Sequence, residues 1–215
     1  MGLLNAVGAE VVLYDGNEKL KIEDIEKKLG TYKAEIVLGE LTKELTDSSD
    51  LLVISPGVPI DSPVVKAFEA AGVPVWGEVE LAYAFDKGKV LAITGTNGKT
   101  TTTALVGQIV GAYHKDTFVV GNIGNPYTTE VLKSNKDSYT VAEISSFQLE
   151  TVHEFHPLVS AILNITPDHL NRHYTMDCYV QTKEKIAMNQ KGSEVCVLNF
   201  DDDYLREFGE HTTAK

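Results

Sequence analysis

One segment, residues 90–101, sets the strongest limit on how this chain can fold. Its sequence is VLAITGTNGKTT, in which an apolar run passes directly into a glycine-rich turn and then into a segment that favours helix. A buried strand, a tight turn and a helix in this order bring backbone N–H groups and the positive end of the helix to one point, where a polyphosphate can bind. We therefore expect Lys99 to reach the outer phosphates and the Thr100 hydroxyl to ligate magnesium.

The segment departs from the formal P-loop pattern at one position. That pattern requires a glycine five residues before Gly98, where this chain has Ile93, although Gly95 lies inside the turn. A strand–turn–helix connection with an incidental Gly-Lys-Thr sequence is therefore the alternative to a phosphate site.

Short β-rich runs alternate with helical runs along the whole chain. The pattern predicts strands at residues 9–14, 34–38, 51–55, 73–76, 90–94, 117–120, 139–144, 159–164 and 194–199, and helices at residues 3–7, 22–29, 63–71, 78–85, 99–112, 126–134, 176–189 and 203–208. Such alternation is typical of an α/β fold with a parallel sheet.

A break at Asp86-Lys87-Gly88 divides the chain into two predicted domains. We predict a Rossmann-like N-terminal domain at residues 1–88 and a P-loop-type ATPase domain with a parallel sheet at residues 89–215. The chain opens with the pattern of a helix end, so the first strand of the Rossmann-like domain is expected to be missing. The second domain is expected to be truncated, because a further strand would be natural after the last predicted helix.

Composition excludes several classes of protein. The 31 acidic residues outnumber the 19 basic ones, and the formal net charge of −12 argues against binding to nucleic acid or to an anionic membrane. Cys178 and Cys196 belong to no CxxC or Cys/His cluster, so neither a disulfide framework nor a zinc module is indicated. No apolar run approaches the roughly 20 residues that span a bilayer. These features predict a cytoplasmic protein.

Acidic and basic side chains follow two further predicted strands. Because the carboxyl ends of parallel strands meet at one edge of a sheet, Glu143 is expected near the glycine-rich turn, where P-loop enzymes hold magnesium. Asp168, His169, Arg172 and His173 are expected on a loop at the same edge, with His169 as a metal ligand or an orienting donor. A solvated acid and a solvated loop histidine are the alternatives.

Other candidate residues carry weaker signals. Lys183 lies within the helix predicted at residues 176–189, where an exposed lysine is the ordinary expectation. Asp15 and Gly16 follow the first predicted strand, at a position where dinucleotide-binding folds hold ribose hydroxyls. Gly57 lies in a turn, open to a close ligand, after the strand predicted at residues 51–55.

Four segments together resemble the ATP-dependent Mur ligases of peptidoglycan synthesis. They are GTNGKTT at residues 95–101, GNIG at 121–124, EISSFQL at 143–149 and NITPDH at 164–169. The GTNGKT turn is shared with folylpolyglutamate synthases. The SSFQL segment, by contrast, resembles the corresponding segment of the family members that add D-glutamate to UDP-N-acetylmuramoyl-L-alanine.

The resemblance implies a reaction and a set of residues. ATP phosphorylates a substrate carboxylate and the amino group of the incoming amino acid attacks the acyl phosphate, so the protein mainly clamps a transferring phosphoryl group. Lys183 falls where the family carries a carbamylated lysine, and Lys99, Glu143, His169 and Lys183 are the expected catalytic residues. By the same resemblance ATP is bound by Gly95, Thr96, Asn97, Gly98, Lys99, Thr100 and Thr101, Mg²⁺ by Thr100, Glu143, His169 and Lys183, and the UDP-muramoyl substrate by Asp15, Gly16, Gly57, Asn122, Ser145 and His169.

Two other functions stay open at this point. Another Mur-type or folylpolyglutamate-type amide ligase would share the turn, and a non-catalytic P-loop module would need only nucleotide binding. The resemblance also implies that the rest of the ATPase domain and a third domain, which receives the amino acid, lie outside these 215 residues, so this piece alone is expected to be inactive. The full-length parent is expected to be a monomer.

Overall fold

The computed structural model describes residues 1–215 and divides into two compact units. The first unit comprises Met1–Leu52 and Asp61–Pro74, and the second comprises Val53–Ile60 and Val75–Lys215. By their contacts, residues 75–88 belong to the second unit. The domain division at residue 88 stays a prediction.

The first unit contains short helices and a two-stranded parallel sheet. Val12 lies opposite Glu35 in this sheet, and Leu3, Val65 and Phe68 are among the few fully buried apolar side chains of the unit. Its helices are α1 (Gly2–Ala6), α2 (Ile22–Leu29), α3 (Lys43–Ser48) and α4 (Pro63–Ala70), and its strands are β1 (Val12–Asp15) and β2 (Glu35–Leu38).

Helices α3 and α4 begin at side chains that cap them. The Thr42 hydroxyl accepts a hydrogen bond from the backbone N–H of Leu45, and the Ser62 hydroxyl accepts one from Val65. Pro63 occupies the first position of α4, where its missing N–H group costs nothing because that group has no partner within the helix. These local signals explain why α4 begins where the sequence predicts.

Seven strands complete the chain, and five of them form the central sheet of the second unit. Strands β3 (Leu52–Ile54) and β4 (Val75–Gly77) pair with each other, and the others are β5 (Lys89–Thr94), β6 (Thr117–Gly121), β7 (Tyr139–Glu143), β8 (Val159–Ile162) and β9 (Val195–Leu198). The five-stranded sheet is parallel throughout and has the order β6-β7-β5-β8-β9. The α/β fold class predicted from the sequence is therefore confirmed.

The helices of the second unit are α5 (Glu78–Tyr83), α6 (Lys99–Tyr113), α7 (Tyr127–Glu130), α8 (Ser146–Leu149), α9 (Leu170–His173), α10 (Met176–Glu184) and α11 (Asp203–Gly209). Short 3₁₀ turns at Val131–Lys133 and Lys185–Ala187 follow α7 and α10. None of the helices combines the length and the apolar character that crossing a bilayer requires.

The interior of the second unit explains why its central strands have almost continuous apolar sequences. Val90 and Ala92 of β5 and Val141 and Ala142 of β7 are all at most 3% exposed. Strands covered on both faces have no polar side to alternate with. Each buried valine side chain stabilises the fold by about 1.5–3 kcal/mol. The carboxyl ends of these strands are therefore positioned by a tightly packed interior.

The structure corrects the sequence predictions in three short helices, α3, α8 and α9. Both α8 and α9 have four residues, too few to show a helical period in the sequence. The prediction that Arg172 and His173 lie on a loop was wrong, because both lie in α9 and His173 is buried. The helices predicted at residues 126–134 and 176–189 are shorter, since α7 and α10 give way to 3₁₀ turns.

Candidate functional site

The turn between β5 and α6, residues 95–98, has a backbone that only glycine adopts easily at its two ends. Gly95 has φ +148° and Gly98 has φ +83°. A Cβ atom on Gly95 would lie 3.1 Å from the Leu163 Cβ atom. Strand β5 continues through Ile93, which is 3% exposed, to Thr94, so the turn is short. This explains why an isoleucine stands where the formal pattern requires glycine.

Polar contacts with residues 164–166 fix the β5–α6 turn. Asn164 accepts from the backbone N–H of Asn97 through Oδ1 (2.9 Å) and donates to the Asn97 carbonyl through Nδ2 (3.0 Å). The Thr96 hydroxyl donates to the Thr166 carbonyl (3.1 Å) and accepts from the Thr166 N–H (3.0 Å). The turn is therefore arranged before any ligand arrives, and Asn164 is a residue whose role the sequence predictions missed.

Two lysine side chains converge on the β5–α6 turn. Lys99 Nζ donates to the carbonyls of Gly95 (2.9 Å) and Thr96 (2.8 Å), and Lys183 Nζ donates to the same Gly95 carbonyl (2.9 Å). Lys183 is 1% exposed, so the expectation of an exposed helix lysine was wrong. Burial, and after it the charge of Lys99, lowers the pKa of Lys183 from 10.5 to about 7, with Asp168 acting in the opposite direction.

Tyr179 joins these groups from α10 and is a second residue that the sequence predictions missed. Its hydroxyl lies 3.2 Å from the Thr96 hydroxyl, and its ring centroid lies 4.7 Å from Lys183 Nζ. Burial raises the pKa of Tyr179, so the hydroxyl keeps its proton. Its spacing of four residues from Lys183 places both side chains on one face of the helix, which is the only signal the sequence offered.

Glu143 ends β7 beside the central strand, opposite Ile93. It is 1% exposed, its Oε1 atom accepts from Asn122 Nδ2 (2.8 Å), and its Oε2 atom is buried without a hydrogen-bond partner. Gly121 lies against it with φ +103°, and a Cβ atom there would meet the Glu143 carbonyl oxygen at 2.2 Å. A buried carboxylate oxygen without a partner is costly, and a cation is the natural partner for it.

The residues fit a magnesium ion that binds mainly through phosphate. No three His, Cys, Asp or Glu side chains of the chain converge on a common point. Mg²⁺ commonly binds through one or two carboxylates, waters and substrate phosphates rather than through a protein cage. Glu143 Oε2 supplies one oxygen, and Thr100 and Thr101 are exposed in the first turn of α6, next to the β5–α6 turn.

A cavity of about 220 Å³ lies beside Asn122. Gln148, which lines the cavity, bonds to Ser145, the N-cap of α8: the Ser145 hydroxyl accepts from the Gln148 N–H and Gln148 Oε1 accepts from the Ser145 N–H. The cavity is lined by Glu78, Val79, Gly121, Asn122, Ile123, Gly124, Pro126, Tyr127, Thr128 and Gln148. The volume is enough for a small chemical group, and the predicted substrate residue Asn122 lies on the wall of this cavity.

His169 and His173 have different environments. His169 is the N-cap of α9 with φ +51°, its side chain is about half exposed, and its Nε2 atom lies 3.4 Å from Asp168 Oδ2. His173 is buried with Nε2 at 3.0 Å from the Ser146 hydroxyl, and burial lowers the pKa of its ring. The Phe147 ring lies 4.9 Å from the His169 ring, centroid to centroid. Only His169 is accessible enough to meet a ligand.

Two turns carry the remaining predicted residues, one in each unit. Asp15 lies at the end of β1 and accepts from the backbone N–H of Asn17 (2.9 Å), with Gly16 between them in the first unit. Gly57 lies in the 55–58 turn of the second unit, which the Val58 N–H closes on the Ser55 carbonyl (2.9 Å).

Comparison with known proteins decides the family. The model of the Mur ligase middle domain matches residues 93–215, which is more than half of the chain, and the model of the MurD-like N-terminal domain of Mur ligases matches residues 3–77. The chain belongs to the Mur ligase family.

Two curated relatives of this Mur ligase chain share the name "UDP-N-acetylmuramoylalanine--D-glutamate ligase". The protein from Lachnospira eligens is 68% identical over 99% of this chain and 47% of the relative. The one from Lachnoclostridium phytofermentans is 57% identical over 95% of this chain and 45% of the relative. The chain therefore spans about half the length of the curated relatives that it matches.

Solved structures of Mur ligases share the fold at low sequence identity. UDP-N-acetylmuramate:L-alanyl-gamma-D-glutamyl-meso-diaminopimelate ligase from Neisseria meningitides has a TM-score of 0.56 at 16% identity, and the match covers 100% of this chain and 72% of that one. MurF from Acinetobacter baumannii has a TM-score of 0.50 at 20% identity, over 95% of this chain and 44% of that one. These likenesses support the α/β architecture of the Mur ligase chain.

Proposed function

We propose that this chain is the nucleotide-substrate-binding and ATP-binding part of an enzyme that adds D-glutamate to UDP-N-acetylmuramoyl-L-alanine in peptidoglycan synthesis. The observation that carries the proposal is the β5–α6 turn, on whose Gly95 carbonyl both Lys99 and Lys183 converge. The name of the curated relatives and the SSFQL sequence support the choice of D-glutamate as the amino acid.

The reaction proceeds in two displacements. The carboxylate of the muramoyl-alanine attacks the γ-phosphorus of ATP, which gives an acyl phosphate and ADP. The amino group of D-glutamate then attacks the acyl carbon, phosphate leaves, and the amine loses a proton as the amide forms. Both steps need a clamp on charged oxygens more than they need covalent help from the protein. The N–H groups of Thr96 and Asn97 already donate to Asn164, so in this chain the clamp would consist of the N–H groups of Gly98 and Lys99 and the ammonium of Lys99.

Lys99 would exchange its present partners for phosphate oxygens. Its two carbonyl partners, Gly95 and Thr96, belong to the turn itself, so a small rotation of the side chain frees the ammonium. Bound magnesium would neutralise charge on the phosphates, and Thr100, Glu143 and His169 are the residues proposed to hold it together with a modified Lys183. Glu143 contributes the oxygen that has no partner in the unliganded chain.

The environment of Lys183 suits the carbamylation that the family resemblance implies. In carbamylation the amine nitrogen bonds to the carbon of CO₂ and one proton is released. Only the neutral amine has the lone pair that forms this bond. A pKa lowered to about 7 leaves a large share of Lys183 neutral at neutral pH. The product is an anion, which would turn the repulsion between Lys183 and Lys99 into attraction.

The residues proposed for the UDP moiety are Asp15, Gly16 and Gly57, and those proposed for the muramoyl part are Asn122, Ser145 and His169. Gly57 is exposed and a Cβ atom there would meet no atom within 4 Å, so a ligand has room to approach the backbone. We further propose that the parent protein is a cytoplasmic monomer, with no nucleic-acid or membrane partner.

Calorimetric titration and a ligation assay test the proposal on the purified chain. We expect saturable binding of Mg·ATP and of UDP-N-acetylmuramoyl-L-alanine, and no amide product when D-glutamate is added, because catalysis by positioning fails when one reactant lacks its site. Binding of Mg·ATP without any binding of the UDP substrate would favour the nucleotide-binding module instead. Amide formation at the rate of a full-length relative would contradict the assignment of this chain as one part of the machinery.

A further inference from the structure

Arg172 holds the 55–58 turn from a different segment of the second unit. Its Nη2 atom donates to the Val58 carbonyl (2.8 Å). The same guanidinium donates to Glu150 through Nε (3.0 Å to Oε1) and through Nη2 (2.5 Å to Oε2). The two side chains are only 11% and 5% exposed. Bidentate charge-assisted bonds of this kind fix geometry as well as adding energy.

The turn that Arg172 holds is itself exposed. Ser55 and Gly57 are exposed, and Val58 is half-buried. One backbone bond, from the Val58 N–H to the Ser55 carbonyl, closes the turn. Arg172 therefore adds a second point of attachment, and it uses a carbonyl that lies one residue after Gly57.

The other contacts of Arg172 lead to His169. The Arg172 guanidinium lies 5.1 Å from the centre of the Phe147 ring, and that ring lies 4.9 Å from the His169 ring. Glu150 Oε1 lies 3.6 Å from His173 Nδ1, on the same helix as Arg172. One guanidinium thus fixes the position of the 55–58 turn relative to His169.

We propose that Arg172, oriented by Glu150, is a positioning residue that sets the 55–58 turn for the nucleotide part of a uridine diphosphate substrate. This inference rests on the proposed function and adds to it a residue that determines the affinity for the UDP substrate but not for Mg·ATP. Arg172 acts through the Val58 carbonyl. Loss of Arg172 should therefore weaken binding of the UDP substrate and leave Mg·ATP binding at the β5–α6 turn unchanged. Lysine cannot replace it fully, because a single ammonium lacks the planar fork that bonds Glu150 and Val58 together.

The experiment compares two ligands across four variants of the whole chain. Mg·ATP and UDP-N-acetylmuramoyl-L-alanine are titrated by calorimetry into the unaltered chain and into Arg172→Met, Arg172→Lys, Glu150→Gln and Arg206→Met. Arg206→Met is the matched control, because Arg206 pairs with Asp203 in an exposed contact on α11. We expect Arg172→Met to weaken binding of the UDP substrate about tenfold and binding of Mg·ATP less than twofold. Arg172→Lys and Glu150→Gln should cause smaller losses of affinity, again larger for the UDP substrate than for Mg·ATP. The control should change neither affinity.

The ratio of the two affinities separates positioning from a general structural role. Equal weakening of both ligands, or unchanged binding of the UDP substrate, would overturn the inference while the proposed function stands. If Arg172→Met does not fold, the ratio in Arg172→Lys and Glu150→Gln decides between these outcomes. Failure of the unaltered chain to bind the UDP substrate would overturn the proposed function, and this inference with it.

Discussion

The β5–α6 turn and the 55–58 turn both lie in the second unit and each follows a strand, yet they are held in opposite ways. The first has two glycines with positive φ and is fixed by Asn164, Thr166 and two lysine side chains. The second is exposed, has no positive φ, and is held by one internal bond and by Arg172.

The difference between the two turns indicates which of their positions tolerate substitution. Several independent contacts determine the β5–α6 turn, so its shape is prepared before a phosphate binds. Preorganised donors cost no reorganisation at the moment of reaction. The 55–58 turn has one internal bond and the Arg172 guanidinium, so we expect its position to be sensitive to Arg172 while its own sequence tolerates change.

Lys99→Ala is expected to produce the largest change. Removing the ammonium that is proposed to bind the phosphates, while the backbone N–H groups stay in place, should weaken Mg·ATP binding by about 100-fold or more and leave the fold intact. Calorimetry and circular dichroism measure the two effects, with Lys115→Ala, an exposed lysine just beyond α6, as the control. Nearly normal ATP affinity would refute the role of the β5–α6 turn.

Gly95→Ala and Gly57→Ala form a matched pair for stability. Alanine at Gly95 must adopt φ +148° and press its Cβ atom to 3.1 Å from Leu163, which should lower the free energy of unfolding by about 1–3 kcal/mol. Alanine at Gly57 meets open space, so a change of no more than about 0.5 kcal/mol is expected. Denaturant unfolding measures both. Equal losses at the two positions would remove the distinction between the turns.

Asp15→Ala tests the residues of the first unit that are proposed to bind the UDP substrate. Loss of this carboxylate should weaken the binding of UDP-N-acetylmuramoyl-L-alanine by about tenfold and leave the binding of Mg·ATP unchanged. A tenfold change corresponds to roughly one good hydrogen bond to a charged group. Asp24→Ala, an exposed acid of α2, is the control. An equal loss for both ligands in calorimetry would argue against separate sites.

Lys183→Met should change the pH dependence of stability. The folded pKa of Lys183 is about 7 and the unfolded value is near 10.4, so between these values the unfolded chain binds more protons. Stability therefore rises with pH across that window, by at most about 1.4 kcal/mol per pH unit, and is lowest below pH 7. The variant should lack this rise in urea unfolding without magnesium or CO₂. An unchanged slope would mean that Lys183 is not desolvated.

The sequence was sufficient for features that lie within one segment or at one edge of the sheet. Residues 90–101 contain strand, turn and helix start together, and Glu143 follows from the rule that parallel strands end at one edge. The burial of Lys183 was not predictable, because α10 has no clear apolar face around it. The contact of Arg172 with Glu150 and Val58 could not be predicted from the sequence either, because Arg172 is 114 residues from Val58 and α9 has only four residues.

Backbone amide shifts measured by NMR on the isotopically labelled chain show directly which residues respond to each nucleotide. Addition of Mg·ATP is predicted to shift the amide signals of residues 95–101 and to leave those of Asp15, Gly16 and Gly57 in place. Addition of UDP-N-acetylmuramoyl-L-alanine is predicted to shift the signals of Gly16 and Gly57. If Mg·ATP instead leaves residues 95–101 unperturbed while it shifts signals elsewhere, the β5–α6 turn is not the phosphate site.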